Sequence, residues 1–271
     1  MRPWYHDFSR LGLSTAFGRR RAGPREVTRR LLGWLAALPA RRRLGLAPAR
    51  LDLGLPAHTA NQRAKEAVLL PMLADGLSRV GEPKRALELF CADGYYAAWI
   101  ARSAPRARVV GVDRAKEQAA RAAAARRALQ LRKTSFVVAD VNAFVESAPV
   151  RFDLVFCAGG LYHLDDPHRL LAALRRICHG SLILQSAVTL ATDDPRYFVR
   201  PAPGWRHGCR FTHACLASWL EALGWEILDH RLGELPANRR LSDRGSSYYL
   251  ARVGRRKSGG SRQPPGQGGG S

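Results

Sequence analysis

The stretch that most constrains this chain runs from Ala86 to Arg102. Ala86-Leu87-Glu88-Leu89-Phe90 is an apolar run broken by one acid. Cys91-Ala92-Asp93-Gly94 is a turn of small and acidic residues, and residues 95–102 are apolar at helical spacing. A strand passed through a tight turn to a helix N-terminus is the opening unit of a doubly wound parallel sheet, in which free backbone N–H groups at the helix start meet a ligand. Such a turn needs small residues where backbone and ligand approach, and Ala92 and Gly94 supply them. Arg108-Val109-Val110-Gly111-Val112-Asp113 then reads as a second strand ending in a carboxylate. It lies about 20 residues beyond the turn, where dinucleotide-binding folds place the acid that holds ribose hydroxyls.

The alternation continues. Strands are expected over 85–90, 108–112, 135–139, 152–157 and 181–186. Helices are expected over 95–103, 114–130 and 166–178, with only a short linker after the third strand. This order specifies a parallel sheet with helices on both faces. Ahead of it, residues 62–80 carry apolar groups at helical spacing, expected to break at Pro71, with His58-Thr59-Ala60-Asn61 as capping groups. Residues 193–212, rich in Pro, Gly, aromatics and Arg, are too long for an ordinary connector and are expected to carry substrate contacts. Thr212 is expected to cap a helix over 213–223, and strands are expected over 225–230 and 246–253.

The chain has 271 residues, with 44 Lys and Arg against 22 Asp and Glu, a net charge of +22. That excess makes RNA a possible partner through phosphate contacts, although an Ala- and Arg-rich chain also carries such charge on solvated helix faces. The five cysteines, Cys91, Cys157, Cys178, Cys209 and Cys215, show no paired C-x-x-C spacing. They indicate a reducing, cytoplasmic setting and no metal site. No apolar run approaches the roughly 18 residues of a membrane span, so no membrane partner is expected. Residues 1–56 are Arg-rich and acid-poor, as in an organelle leader, but Trp4-Tyr5-His6-Asp7-Phe8 ahead of Leu11-Gly12 favours an integral cap. Within it a short helix is expected over 28–38, followed by the basic run Arg41-Arg42-Arg43.

Glu88-x-Phe90-x-Ala92-x-Gly94 together with Asp113 resembles the first two motifs of class I S-adenosylmethionine-dependent methyltransferases. Glu88 takes the acid position, Gly94 the last glycine, and Phe90 and Ala92 stand where the family has its first two glycines. Ser135 to Val141 resembles the third motif, and Tyr162-His163-Leu164-x-x-Pro167 the fourth, especially in the subgroup related to tRNA wobble-uridine (carboxy)methyltransferases. The resemblance implies an α/β fold, a doubly wound, mostly parallel, seven-stranded Rossmann-like sheet closed by an antiparallel pair, with an N-terminal helical cap. The chain is expected to divide into a cap with helices (1–80), a cofactor-binding domain (81–254) and a tail (255–271) whose Gly, Ser, Pro, Gln and Arg composition predicts disorder. The resemblance also implies S-adenosyl-L-methionine as cofactor, held by Glu88, Phe90, Ala92, Asp93, Gly94, Asp113, Asp140, Val141 and Cys157.

Methyl transfer is an in-line displacement, in which the protein positions the reactants, excludes water and removes a proton where the acceptor needs it. His163 is the leading base, with capping of the strand-helix junction as its alternative role. Tyr162 either contacts the substrate or packs in the core. Tyr5, His6, Arg206, His207 and Arg210 are expected to bind the substrate, the segment at Trp4-Tyr5-His6 meeting the 196–212 loop over the cleft. The acceptor is expected to be a small or sugar-like molecule. The alternatives are a tRNA-modifying (carboxy)methyltransferase and a noncatalytic nucleotide-binding protein, the latter argued from Phe90. An oxidoreductase is disfavoured because Gly-x-Gly-x-x-Gly is absent.

Overall fold

The computed structural model describes residues 4–13 and 57–254, with the backbone alone at 57–59. The expected helix over 28–38, the basic run at 41–43 and the tail beyond 254 lie outside the described residues.

Seven strands form one sheet, in the order β3-β2-β1-β4-β5-β9-β8. They are β1 (Arg85–Leu89), β2 (Arg108–Asp113), β3 (Thr134–Val138), β4 (Phe152–Ala158), β5 (Cys178–Val188), β8 (Trp225–Glu234) and β9 (Gly245–Val253). The first five are parallel, whereas β9 runs antiparallel between β5 and β8. Because side chains alternate along a strand, one face carries Ala86, Leu154, Phe156 and Ile183 and the other carries Leu87, Leu89, Val155, Cys157, Leu182 and Leu184. Both sets are buried, as expected of parallel strands covered on two sides.

Helices α1 (Ala57–Val80), α2 (Tyr95–Ser103) and α3 (Lys116–Ala128) cover the first face, and α4 (Val141–Ser147), α5 (Pro167–Ile177) and α6 (His213–Ala222) cover the second. Asp166 caps α5, with Pro167 in its first turn, and Thr212 caps α6 through Cys215 N–H. A small hairpin, β6 (Phe198–Val199) with β7 (Arg210–Phe211), organises the long loop, and a short helix α7 (Leu241–Arg244) precedes β9. Among the described residues no helix is long and apolar enough to cross a membrane.

Three local expectations are corrected. Helix α1 passes through Pro71 unbroken. Pro71 and Ala67 are both exposed, so the carbonyl that loses its N–H partner faces water. His58 to Asn61 lie inside α1 and do not precede it. Asn61 instead ties the helix to the far loop, donating to Asn238 Oδ1 and accepting from Ala237 N–H, both at 2.9 Å. The expected linker after β3 is helix α4, nucleated by Asp140, whose side chain accepts from Ala143 N–H at 3.0 Å.

Candidate active site

The strands β1, β2 and β4 end at one edge of the sheet, and the turn after β1 shapes it. Phe90, Ala92 and Gly94 all adopt positive φ, at 57°, 44° and 76°. These are the three positions at which the resembled family carries glycine, and the left-handed backbone is the physical reason. A side chain at Ala92 or Phe90 costs about 1–2 kcal/mol of strain at each. Phe90 offsets that cost by packing. A methyl group built on Gly160, just past β4, would lie 1.9 Å from Phe90 Cγ, so the ring occupies the space that a larger residue at 160 would need. Gly94 is required for a different reason: a Cβ there would meet the Phe136 ring at 2.6 Å and Ala122 Cβ at 2.9 Å.

A cavity of about 320 Å³ lies over this edge. Of the expected cofactor residues, Glu88, Phe90, Ala92, Asp113, Asp140 and Val141 line it, and Asp93, Gly94 and Cys157 do not. Gly94 is buried beneath Phe136. Cys157 is fully buried in the core between the sheet and α5. Asp113 Oδ2 accepts from Ala92 N–H at 2.9 Å and Oδ1 from Ala115 N–H at 2.8 Å, which fixes the carboxylate at the mouth of β2 with lone pairs to spare. Glu88 accepts from Ala97 N–H at 2.7 Å, and burial, reinforced by the nearby Asp93 and Asp113, holds its carboxyl well above the usual range.

Asp93 is fully buried and holds the N-terminal segment. Its carboxylate accepts from the N–H groups of Tyr5 and His6 at 2.7 and 2.8 Å and bonds His6 Nδ1 at 2.6 Å. The His6 ring stacks on Tyr95, with centroids 4.9 Å apart. Phe8 and Leu11, in the 3-10 turn Phe8–Leu11, are buried against the same helix cluster. The segment therefore forms a strap that brings Tyr5 and His6 into the wall of the cofactor cavity.

A second cavity, of about 1200 Å³, adjoins the first, and five residues belong to both walls: Tyr5, Gln62, Lys65, Arg114 and His163. Tyr162, Arg206, His207 and Arg210 line this second space, as does Tyr5 of the strap, whereas His6 belongs to the first cavity alone. The loop is anchored by Cys209 N–H donating to the Tyr162 carbonyl at 3.0 Å. Arg210 is 5% exposed, bonds Asp243 at 2.7 Å and lies over the Tyr162 ring at 5.3 Å, so its charge is already neutralised. Burial, with the charges of Arg210 and Arg114, pulls His163 below its ordinary value, leaving it neutral at neutral pH. Burial pushes the Tyr162 phenol up to about 12. All five cysteines are free and buried, and burial raises each thiol, so none is a ready thiolate. No cluster with metal-binding composition is found among the described residues.

Sequence reading missed Gln62, Lys65, Tyr96, Arg114, Arg239 and Arg240. The polar residues of α1 sit in a pattern that reads as an ordinary helix surface, and Arg114, directly after Asp113, is the one with a usable signal.

Residues 86–180 match the family model of a methyltransferase domain. No curated protein matches the chain. Among solved structures, the N-terminal domain of EvdMO1, crystallised in the presence of SAH and D-fucose, is similar at 21% identity over 77% of this chain and 88% of that one, with a TM-score of 0.54. The magnesium protoporphyrin IX methyltransferase (ChlM) from Synechocystis PCC 6803 with bound SAM is similar at 16% identity over 72% and 81%, with a TM-score of 0.52. The [4+2]-cyclase SpnF is similar at 21% identity over 68% and 80%, with a TM-score of 0.54. These likenesses establish the fold. The first cavity fits the cofactor on its own terms, with a carboxylate at the end of β2, a left-handed turn that exposes backbone after β1, and the polar start of α4 after β3. Residues 86–180, which match the methyltransferase-domain model, thus form the cofactor edge of a seven-stranded sheet with the Rossmann-like methyltransferase fold.

Proposed function

We propose that this enzyme methylates a small, sugar-like acceptor that carries a carboxylate or phosphate. The observation that carries this reading is the second cavity. It shares a wall with the cofactor cavity, and it gathers Lys65, Arg114, Arg206, Arg239 and Arg240 against only Asp165 and the already paired Asp243. Arg240 reaches the loop, its guanidinium lying 2.5 Å from a Cβ built on Gly204. Guanidinium groups that lack a carboxylate partner recognise planar or tetrahedral oxyanions. The presence of D-fucose in the EvdMO1 crystal supports a sugar-like acceptor.

Bound S-adenosylmethionine supplies a methyl group on a sulfonium. In this reading Asp113 holds the ribose, Asp140 and Val141 border the base, and Glu88 fixes the turn through Ala97. His163, neutral and open to both cavities, accepts the acceptor's proton, while Tyr5 and Tyr162 exclude water around it. The net charge of +22 favours RNA as the alternative acceptor, in line with the resemblance to the wobble-uridine subgroup. Incubation with methyl-labelled S-adenosylmethionine and fractionated metabolites, beside bulk tRNA, separates the two. Label in the anionic small-molecule fraction is expected. Label confined to tRNA or to uncharged metabolites would overturn the proposal.

A further inference from the structure

Lys65 projects from α1 into the junction of the two cavities and lines both. Its ammonium lies 3.9 Å from a Cβ built on Gly159, at the end of β4, and 6.0 Å above the Tyr5 ring. No carboxylate among the described residues bonds it: Glu66, next along the helix, acts on it only through space. Lys65 is half-buried at this junction and its ammonium has no counter-ion among the described residues, a setting in which a ligand can supply the missing charge. Burial pulls this ammonium down to about 8 even though Glu66 pulls the other way, which marks the same unmet charge.

From this geometry we infer that the Lys65 ammonium is the counter-ion of the acceptor's reacting atom, stabilising negative charge where the cofactor cavity opens into the acceptor cavity. This rests on the functional reading above and adds to it. The arginines hold the acceptor's remote anionic group, His163 removes the proton, and Lys65 faces the oxygen or nitrogen that becomes electron-rich. The sequence gives no hint of this, since Lys65 stands in Gln62-Arg63-Ala64-Lys65-Glu66, a run of helix-surface character.

Glu66 stands beside Lys65 on its own helix, Tyr5, Arg114 and His163 line both cavities with it, and Glu88, Asp113 and Asp140 line the cofactor cavity. Tyr5 is shifted upward and His163 downward, so neither crosses its titration in the mildly alkaline range that Lys65 crosses.

The test uses formate as the anionic probe and the full-length protein saturated with S-adenosylhomocysteine, whose neutral thioether adds no charge at the junction. Calorimetric titrations are run near neutral pH and near pH 9.5 on wild type, Lys65→Met and Lys65→Arg. Formate held by the arginines of the second cavity binds alike at both pH values and in all three proteins, so the readout is the further site. In wild type that site should be filled near neutral pH and lose at least about tenfold in affinity at the higher pH, as the ammonium falls below a tenth of the population. It should be absent from Lys65→Met at both pH values and present in Lys65→Arg at both. Wild type with no pH-dependent site, or a pH-dependent site that survives in Lys65→Met, would overturn the inference. Failure of wild type to bind S-adenosylhomocysteine at all would instead strike the cofactor reading itself.

Discussion

Removing the Asp93 carboxylate should release the N-terminal strap. Three hydrogen bonds converge on this group, from Tyr5 N–H, His6 N–H and the His6 ring, at 2.6–2.8 Å in a fully buried setting. If the strap stayed in place in Asp93→Ala, three donors, the two of His6 buried and that of Tyr5 part-buried, would lose their acceptor, at up to about 1–3 kcal/mol each. Undocking instead exposes Phe8 and Leu11, but it lets the orphaned donors bond water and returns conformational entropy to the strap. Release is therefore expected, with a loss of about 3 kcal/mol, the low end for three lost hydrogen bonds. Asp93→Asn should lose less, because both backbone donors go to one oxygen, which the amide Oδ1 replaces, while the amide nitrogen faces His6 Nδ1 in its accepting tautomer. Urea unfolding reads the loss, and amide exchange at Tyr5, His6 and Phe8 reads the release. Because Tyr5 and His6 line the cofactor cavity, S-adenosylhomocysteine affinity should fall as well. An Asp93→Ala variant within about 1 kcal/mol of wild type, with those amides still protected, would refute the reasoning.

Ala92→Gly should raise stability by about 1 kcal/mol, since it relieves a φ of 44°, whereas Phe90→Gly should lower it by about 2 kcal/mol, because the ring that fills the space beside Gly160 is lost; thermal unfolding of the two variants reads the contrast. Lys65 has a folded value of about 8 against an ordinary 10.5, so its protonated form opposes folding. That penalty is full below pH 8 and vanishes as pH rises through 10.5, and the stability advantage of Lys65→Met should shrink over the same range. Asp243→Ala strands the Arg210 guanidinium in a site where both partners are at most 9% exposed and should cost about 3 kcal/mol in urea unfolding.

The sheet was legible because its signals are local. Each parallel strand is a short apolar run, and Asp113, Asp140 and Asp166 mark strand ends or helix starts by chemistry that acts within a few residues. Thr212 was legible as a cap for the same reason. Pro71 misled because propensity weighs heavily only where the lost hydrogen bond is buried, and here it faces water. The site was legible where a backbone requirement leaves a trace, as in the spacing of Phe90, Ala92 and Gly94. It was not legible where long-range packing decides. Asp93 lies within the turn that borders the cofactor cavity yet points to residues 87 and 88 positions away. Lys65, Arg239 and Arg240 reach the acceptor cavity only because α1 and the β8–β9 connection converge, linked by Asn61 and Asn238.

The central claim is that the cavity after β1 and β2 holds S-adenosylmethionine through Asp113. Calorimetric titration of S-adenosylmethionine into wild type and Asp113→Ala tests it most directly. The account predicts a single site in wild type, weakened by about 1–3 kcal/mol in the variant, the scale of hydrogen bonds to a charged carboxylate. Equal affinity in the two proteins, or no binding in wild type, would contradict it.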